Sequence, residues 1–528
     1  VAAMAARESA VFDIISRELS ACNLPGATLA RPAISPAIGE HPAFTALHHT
    51  KTPQRPEGMT VAEAFAGRTN LLFLADGPDG PGNGAAVNAH IDVVAPYVPP
   101  RRDGQRILGR GTCDDKGGTV AIIAAIRIVA DLIHAGAAEL CNAITAMFVI
   151  EEETGGNGSL SLALDRALRA RYDSLVIVDT AGNRVCPANR GAVWFAAEVA
   201  TVADAGPSVS PLLATVWAIL AMQREGEAIK AESDHPLFPH RPVQTCNGML
   251  GPFGEHPSRI CGEVTCTIHT GGDPERDAQL RGAIDRGLAD YVANYDDRTK
   301  EIDPGTGRPK VDHHADISND GDRLAVTLYG STGHMGALAE NDAAITKWAY
   351  VMREVTLDEM QHGRCPQIAL PGGDTERVVL EGGQGFLPTH TMADVRTRMR
   401  SAFHRGIGEY TLLTGAEAST LTADITYDKL NNMAFECDPD SRTVGNLLSA
   451  ARAVGAATEL RGFDVSCDAR LFAHEYPDLH VVTTGPGELR RAHSDNEYVD
   501  IDELQDAAAM CAIFLLRETG SLPEHQDH

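Results

Sequence analysis

A chain of 528 residues is long enough to bury a large core and is expected to form at least two domains. Its 72 acidic residues against 45 basic ones give a formal charge of -27, which argues against nucleic acid or an anionic membrane as a partner and favours small substrates. Eleven cysteines, odd in number and without a CxxC pair, argue against a disulfide framework and for a reducing cytoplasm.

The first segment, VAAMAARESAVFDIISRELSA, spaces its apolar residues helically among charges, which predicts an amphipathic helix and not a secretory leader. A proline-rich segment precedes Met59. From about 70 to 179, β-rich runs (LLFLA, AAVNAHIDVV, AITAMFVI, SLVIVD) alternate with helical patterns over 117–136 and 159–171. Such alternation predicts an α/β/α layered domain on a mixed, mostly parallel sheet. The apolar run TVAIIAAIRIVADLIHAG is broken by Arg127 and Asp131. It falls short of the roughly 20 uninterrupted residues of a membrane span, so a buried core helix is expected.

After residue 191 the texture changes to that of an α+β domain. A strand-like VWFAAEVA, a helix SPLLATVWAILAMQREGEAIKA, strands around VQTCNGMLG and GEVTCTIHT, and a helix over 274–294 follow one another. The polar stretch 295–322 reads as a linker, with His313 and His314 solvated in it in preference to forming a second metal site. The order then recurs: strand RLAVTLYG, helix NDAAITKWAYVMREV, strands near ERVVLEGG and THTMADVRTRM, and a helix containing SAFHRGIGEYTLL. This recurrence predicts an internal duplication, 191–294 against 321–430. From about 441 the α/β texture returns, with NLLSAARAVGA, DLHVVTTG, a loop carrying His493, and a last helix IDELQDAAAMCAIFLLRETG. The expected organisation is a discontinuous catalytic domain, 1–190 with 431–528, and an inserted lid, 191–430.

In open α/β sheets ligands collect beyond the carboxyl ends of the strands, where His90, Glu151 to Glu153 and Asp179 fall. His90 and Asp92, two apart at a strand end, share a face. One can bind a metal while the other accepts the second ring N–H, or both are ordinary polar residues. Asp114 in GRGTCDDKGG can offer one oxygen to each of two cations, or it and Asp115 can cap the following helix. The adjacent carboxylates of Glu151, Glu152 and Glu153 repel one another, a cost that cations or full solvation would offset. One of them can bind metal while its neighbour stays free as a general base. His493 follows Gly485, Pro486 and Gly487 and precedes Glu497. Two histidines and several carboxylates on such distant segments suit two divalent cations sharing a carboxylate, and the chain reads as a two-metal hydrolase.

These segments resemble the co-catalytic zinc metallopeptidases that include bacterial dipeptidase V, carnosinase-type dipeptidases, carboxypeptidase G, acetylornithine deacetylase, succinyl-diaminopimelate desuccinylase and aminoacylase. The resemblance runs from about 88 to 504. It rests on His90-x-Asp92, on G-x-G-x-x-D-x-K-G over 109–117, on the acidic-E-E-x-G over 151–155, and on His493 with Glu497 four residues on. It implies one metal on His90, Asp114 and Asp179, the other on Asp114, Glu153 and His493, and Asp92 beside them. It also implies Glu152 as the base that deprotonates a water between the cations and later protonates the leaving nitrogen. A lid histidine of the family maps to His334 in GSTGHMGALAE, as oxyanion donor. Asn247, Arg396 and Gly487 are the implied substrate contacts, the arginine taking a carboxylate through two parallel hydrogen bonds.

The resemblance implies a dipeptidase, because aspartate at the third ligand position, Asp179, accompanies enzymes that need a free substrate amine. An N-acyl-amino-acid amidohydrolase, or a carbamate or amide hydrolase, stays open, as does a metal-binding protein without catalysis. The substrate is expected to be a small peptide or N-acyl amino acid. A monomer is expected from the doubled lid, with His334 acting in cis, and a homodimer is the alternative. Zinc suits the nitrogen and oxygen ligand set, and manganese or cobalt suit it too.

Overall fold

The computed structural model describes residues 1–520 apart from 48–49, 53, 79, 203–208, 256–258, 303–306, 333–334, 336–341 and 495, and of Ala418 and Asn431 the backbone only. It divides into two units, Val1–Gly191 with His235–Pro239 and Leu430–His528, and Ala192–Asp234 with His240–Lys429.

Alternation along the strands sets the layers of the first unit. Its six-stranded sheet runs in the order Thr28–Ala30, Leu71–Ala75, Ile144–Val149, Gly84–His90, Tyr172–Val178, His480–Thr484. The last four strands are mutually parallel, and Leu71–Ala75 runs antiparallel to both of its neighbours. Ala146 and Phe148 enter one apolar cluster with Phe12, Ile126, Leu447 and Phe514 from helices Ala2–Ser20, Lys116–His134, Arg442–Val454 and Ile501–Glu518. Met147 and Val149, one residue out of phase, enter the other with Leu162, Leu168 and Phe472. Period-2 geometry thus divides one apolar run between two cores, which is why buried parallel strands read as continuous hydrophobic sequence.

The helix Lys116–His134 is long and apolar enough to cross a membrane by length and composition. It lies instead against the sheet: Ile122, Ala125, Ile126 and Val129 belong to the core, while Arg127 and Asp131 are exposed. The segment His235–Pro239, which the sequence places in the middle domain, belongs to the first unit. Phe238 is fully buried under Gly462, and His235 meets Glu436 at 3.3 Å. A short antiparallel sheet, Tyr498–Asp500 on Arg106–Leu108 on Arg101–Asp103, ties the tail to the segment before Asp114.

The second unit holds two sheets. One runs in the order Thr245–Leu250, Arg377–Phe386, Gly191–Thr201, Leu421–Thr426, and its helices Pro211–Glu232 and Met392–Thr414 pack on each other. The other, Ala315–Asp320, Arg323–Tyr329, Glu263–His269, Ile368–Ala369, carries the packed pair Pro274–Tyr295 and Ala344–Gln361. Each sheet draws strands from both of the segments 191–294 and 321–430, so the recurrence of element order does not correspond to two successive halves. In chain order the strands of the second sheet all fall between Thr245–Leu250 and Arg377–Phe386 of the first.

Two local expectations change as well. Part of 295–322 is not a linker but the edge strand Ala315–Asp320, where polar side chains are tolerated because one row faces solvent. His314 within this stretch is not solvated: its Nε2 lies 3.0 Å from Asp297 and its Nδ1 3.1 Å from the Lys347 ammonium. The sequence THTMADVRTRM, β-branched enough to suggest a strand, is instead the start of Met392–Thr414. The Thr391 hydroxyl caps it by accepting the backbone N–H of Asp394 at 3.2 Å.

Candidate metal centre

The register of the parallel strands aligns their carboxyl ends, pairing His90 with Val149 and Thr484 with Val178. The loops leaving these ends carry Asp92, Glu151 to Glu153, Asp179 and His493 on one rim. Asp114 reaches the same rim from the turn that opens Lys116–His134. Ligand atoms of His90, Asp114 and Asp179 all lie within 4.8 Å of one another, and so do those of Asp114, Glu153 and His493. The two sets share Asp114. His90 Nε2 stands 3.0 Å from Asp114 Oδ1, and His493 Nε2 stands 3.2 Å from Asp114 Oδ2 and 3.0 Å from Glu153. Asp173, near enough in sequence to compete with Asp179, is half exposed and points to Arg169 at 3.8 Å.

The electrostatics calls for positive charge. Burial pushes Glu153 up to about 7, with the Asp114 charge adding to it, and pushes Asp179 up to about 6 for the same two reasons. Glu152 is raised well above the usual carboxylate range by burial and by the nearby Asp468. Burial disfavours the charged forms of His90 and His493, yet the surrounding carboxylates outweigh it and raise both imidazoles. Asp114 is held low, against burial, by its hydrogen bonds with the two histidines. The carboxylates outnumber the positive charge available at this rim, an imbalance that divalent cations would offset. Each set offers one imidazole nitrogen and carboxylate oxygens with no thiolate, the donor chemistry of zinc, manganese or cobalt, so the residues present fit a pair of divalent cations.

Other groups hold this set in place. Asp92 accepts the backbone N–H groups of Glu152 and Glu153 at 3.2 and 3.1 Å, and lies 3.5 Å from His90 Nδ1. Asp115 is the helix cap: it accepts from Gly118 N at 3.1 Å and from His90 N at 3.3 Å. Glu151 falls in neither ligand set. Its carboxylate pairs with the buried Arg68 at 2.6 Å, and Arg68 pairs again with Glu8 at 2.5 Å, so part of the repulsion within the glutamate run is relieved by a guanidinium. Arg470 donates to Gly155 O at 2.8 Å and fixes the turn after Glu153. Neither Arg68, Arg470 nor Asp468 carries a motif in sequence, and only their burial identifies them.

Gly487 has φ +80°, and a Cβ there would stand 2.4 Å from the Cys113 sulfur, so the backbone beside Asp114 can approach only a glycine. Asn247 and Arg396 lie in the second unit. Asn247 is fully buried and donates to the Thr346 hydroxyl at 3.3 Å, and the Arg396 guanidinium sits 5.8 Å from the Tyr427 ring centroid. His334 lies outside the described residues.

Residues 86–517, which include both ligand sets, match Peptidase family M20/M25/M40. The chain belongs to that family. Two curated fungal proteins, from Arthroderma otae and Arthroderma benhamiae, each described as a probable carboxypeptidase, are 28% identical over 133 residues. The match covers 22% of this chain and spans only 28% of the length of each. Human carnosine dipeptidase 1 superposes at a TM-score of 0.51 with 14% identity, covering 96% of this chain and 90% of that one. The di-peptidase Dug1p from Saccharomyces cerevisiae superposes at 0.53 with 13% identity, covering 97% and 90%. At such identities the two structures establish that the M20/M25/M40 fold, with its mixed α/β architecture, extends over nearly the whole chain.

Proposed function

We propose that the chain is a metal-dependent hydrolase that cleaves an amide bond in a small substrate, with the peptide bond of a free dipeptide as the first choice. The observation that carries this reading is the sharing of Asp114 by two ligand sets, one of them containing Glu153, whose neighbour Glu152 belongs to neither. Two divalent cations, zinc in first place, would supply Lewis acidity toward the scissile carbonyl and make water a usable nucleophile near neutral pH. His90 and Asp179 would hold one and Glu153 and His493 the other, with Asp114 common to both. Glu152 takes the proton from the attacking water and returns it to the leaving nitrogen, a two-way role suited to a carboxyl whose burial favours the protonated form. Asp92 keeps that base in position by holding the backbone of both glutamates. His334, Asn247, Arg396 and Gly487 are the proposed contacts to the substrate.

Asp179 at the third ligand position supports a substrate with a free amine, and the dipeptidases with which the fold is shared agree with it. A carboxypeptidase or N-acyl-amino-acid hydrolase is the second reading, favoured by the fungal relatives described as probable carboxypeptidases. A paired panel separates them: free dipeptides, the same dipeptides N-acetylated, and N-acyl amino acids, each with zinc-, manganese- and cobalt-reconstituted protein. Cleavage confined to free-amine members is the expected result. Cleavage of blocked members moves the assignment to the second reading, and no cleavage of any member by protein that has taken up metal favours binding without catalysis.

A further inference from the structure

Arg110 stands outside both ligand sets, yet it links the loop that leaves Asp92, the turn that carries Asp114 and the tail that carries His493. Its backbone N–H donates to Val98 O at 3.0 Å and its Nε to Pro96 O at 3.3 Å, which fastens the loop that leaves Asp92. Its Nη1 donates to Glu497 Oε2 at 2.5 Å, and the two side chains are 1% and 0% exposed. Glu497 in turn accepts, through Oε1, the backbone N–H groups of Cys113 at 3.0 Å and Asp114 at 3.1 Å. The carbonyl of Glu497 receives Gly109 N at 2.9 Å. Two segments that are near neighbours in sequence and a third, whose Glu497 lies 387 residues beyond Arg110, are therefore joined through one buried ion pair. One carries His90 and Asp92, one Asp114, and one His493.

We infer that the Arg110–Glu497 pair is a positioning device for the bridging carboxylate, setting the affinity of the centre for its cations without touching them. The two oxygens of Asp114 face different histidines, so a small rotation of the 113–114 backbone would favour one ligand set at the expense of the other. Glu497 opposes that rotation by holding both backbone N–H groups, and Arg110 fixes Glu497 by a charged hydrogen bond in a site from which water is excluded. Supports of metal ligands at one remove act on metal affinity by about tenfold to a hundredfold. The inference rests on the metal-dependent reading above.

The test compares wild type, R110M, E497Q and R106M by zinc stoichiometry and affinity in chelator competition, alongside thermal unfolding of the metal-free proteins. Arg106 pairs with Asp500 at 3.0 Å on the neighbouring strand pair, is half exposed, and serves as the control. R110M and E497Q are expected to lose at least about tenfold in zinc affinity, as a position that acts on the ligands requires. R106M is expected to bind as wild type does. Should R110M fail to fold, E497Q, which keeps the shape and an acceptor for the two backbone N–H groups, decides alone. A folded R110M or E497Q with wild-type affinity overturns the inference and leaves the metal reading intact, whereas wild-type protein that takes up no cation overturns both.

Discussion

The carboxylate of Asp92 accepts the backbone N–H of Glu153 at 3.1 Å, so the acid of the His-x-Asp pair holds the glutamate loop as well as facing the histidine. Its other oxygen takes Glu152 N at 3.2 Å. Replacing it with alanine removes both bonds and leaves two half-buried N–H groups without this partner. Asp92→Ala is expected to lower kcat by about 10- to 100-fold on the best substrate of the panel, the range seen for residues that orient metal ligands. Asn should be milder than Ala because its carbonyl can keep one of the two bonds. Wild-type kcat in Asp92→Ala would remove the residue from the machinery.

Arg68 is 3% exposed and neutralises two acids at once, Glu8 at 2.5 Å and Glu151 at 2.6 Å. Arg68→Met would leave Glu151, itself 4% exposed, as an uncompensated buried charge beside Glu152. Breaking such a pair costs about 3–5 kcal/mol. Denaturant unfolding is expected to show a loss of that order for Arg68→Met. A change below about 1 kcal/mol, the value of a surface pair, would show that Glu151 finds another partner.

In the second unit Lys347 is fully buried and donates to Asp342 at 2.8 Å and to the carbonyl of Tyr329, while Tyr291 donates to the other Asp342 oxygen at 2.5 Å. Lys347→Met strands a buried carboxylate and should destabilise by about 3–5 kcal/mol, whereas Lys347→Met with Asp342→Asn should recover part of that loss. A double-mutant cycle on unfolding free energy measures the coupling. Additive single effects, within about 0.5 kcal/mol, would mean the two do not form a functional pair.

The sequence makes the rim legible because ligand chemistry and strand ends coincide in it: His90, Asp114, Glu153, Asp179 and His493 each stand where an apolar run stops or a glycine-rich turn starts. The supports are hidden because they are single residues whose meaning depends on contacts across hundreds of positions. Arg68 reads as one more surface arginine, and Asp468 as a polar residue before a short helix. The middle of the chain misleads for a different reason. Recurrence of strand and helix gives the order of elements but not which strand pairs with which. Long-range pairing interleaves the segments 191–294 and 321–430 in both sheets. Local propensity likewise favours a strand at Thr389 to Val395, and the Thr391 cap overrides it.

Glu152 separates metal binding from turnover. It lies in neither ligand set, so Glu152→Gln, which keeps the shape and removes the base, should leave two cations per chain bound. Loss of general-base catalysis alone is worth about 10²–10⁴ in rate, and kcat is expected to fall by at least that much. Chelation of the wild-type protein should abolish turnover too, but with a second signature that Glu152→Gln lacks: a lower unfolding temperature, because cations bound only by the folded state stabilise it by mass action. Elemental analysis and thermal unfolding of the substituted protein, beside chelated and reconstituted wild type, therefore distinguish the base from the ligands. Retained turnover in Glu152→Gln assigns proton transfer to another group, and metal content that falls with the substitution makes Glu152 a ligand.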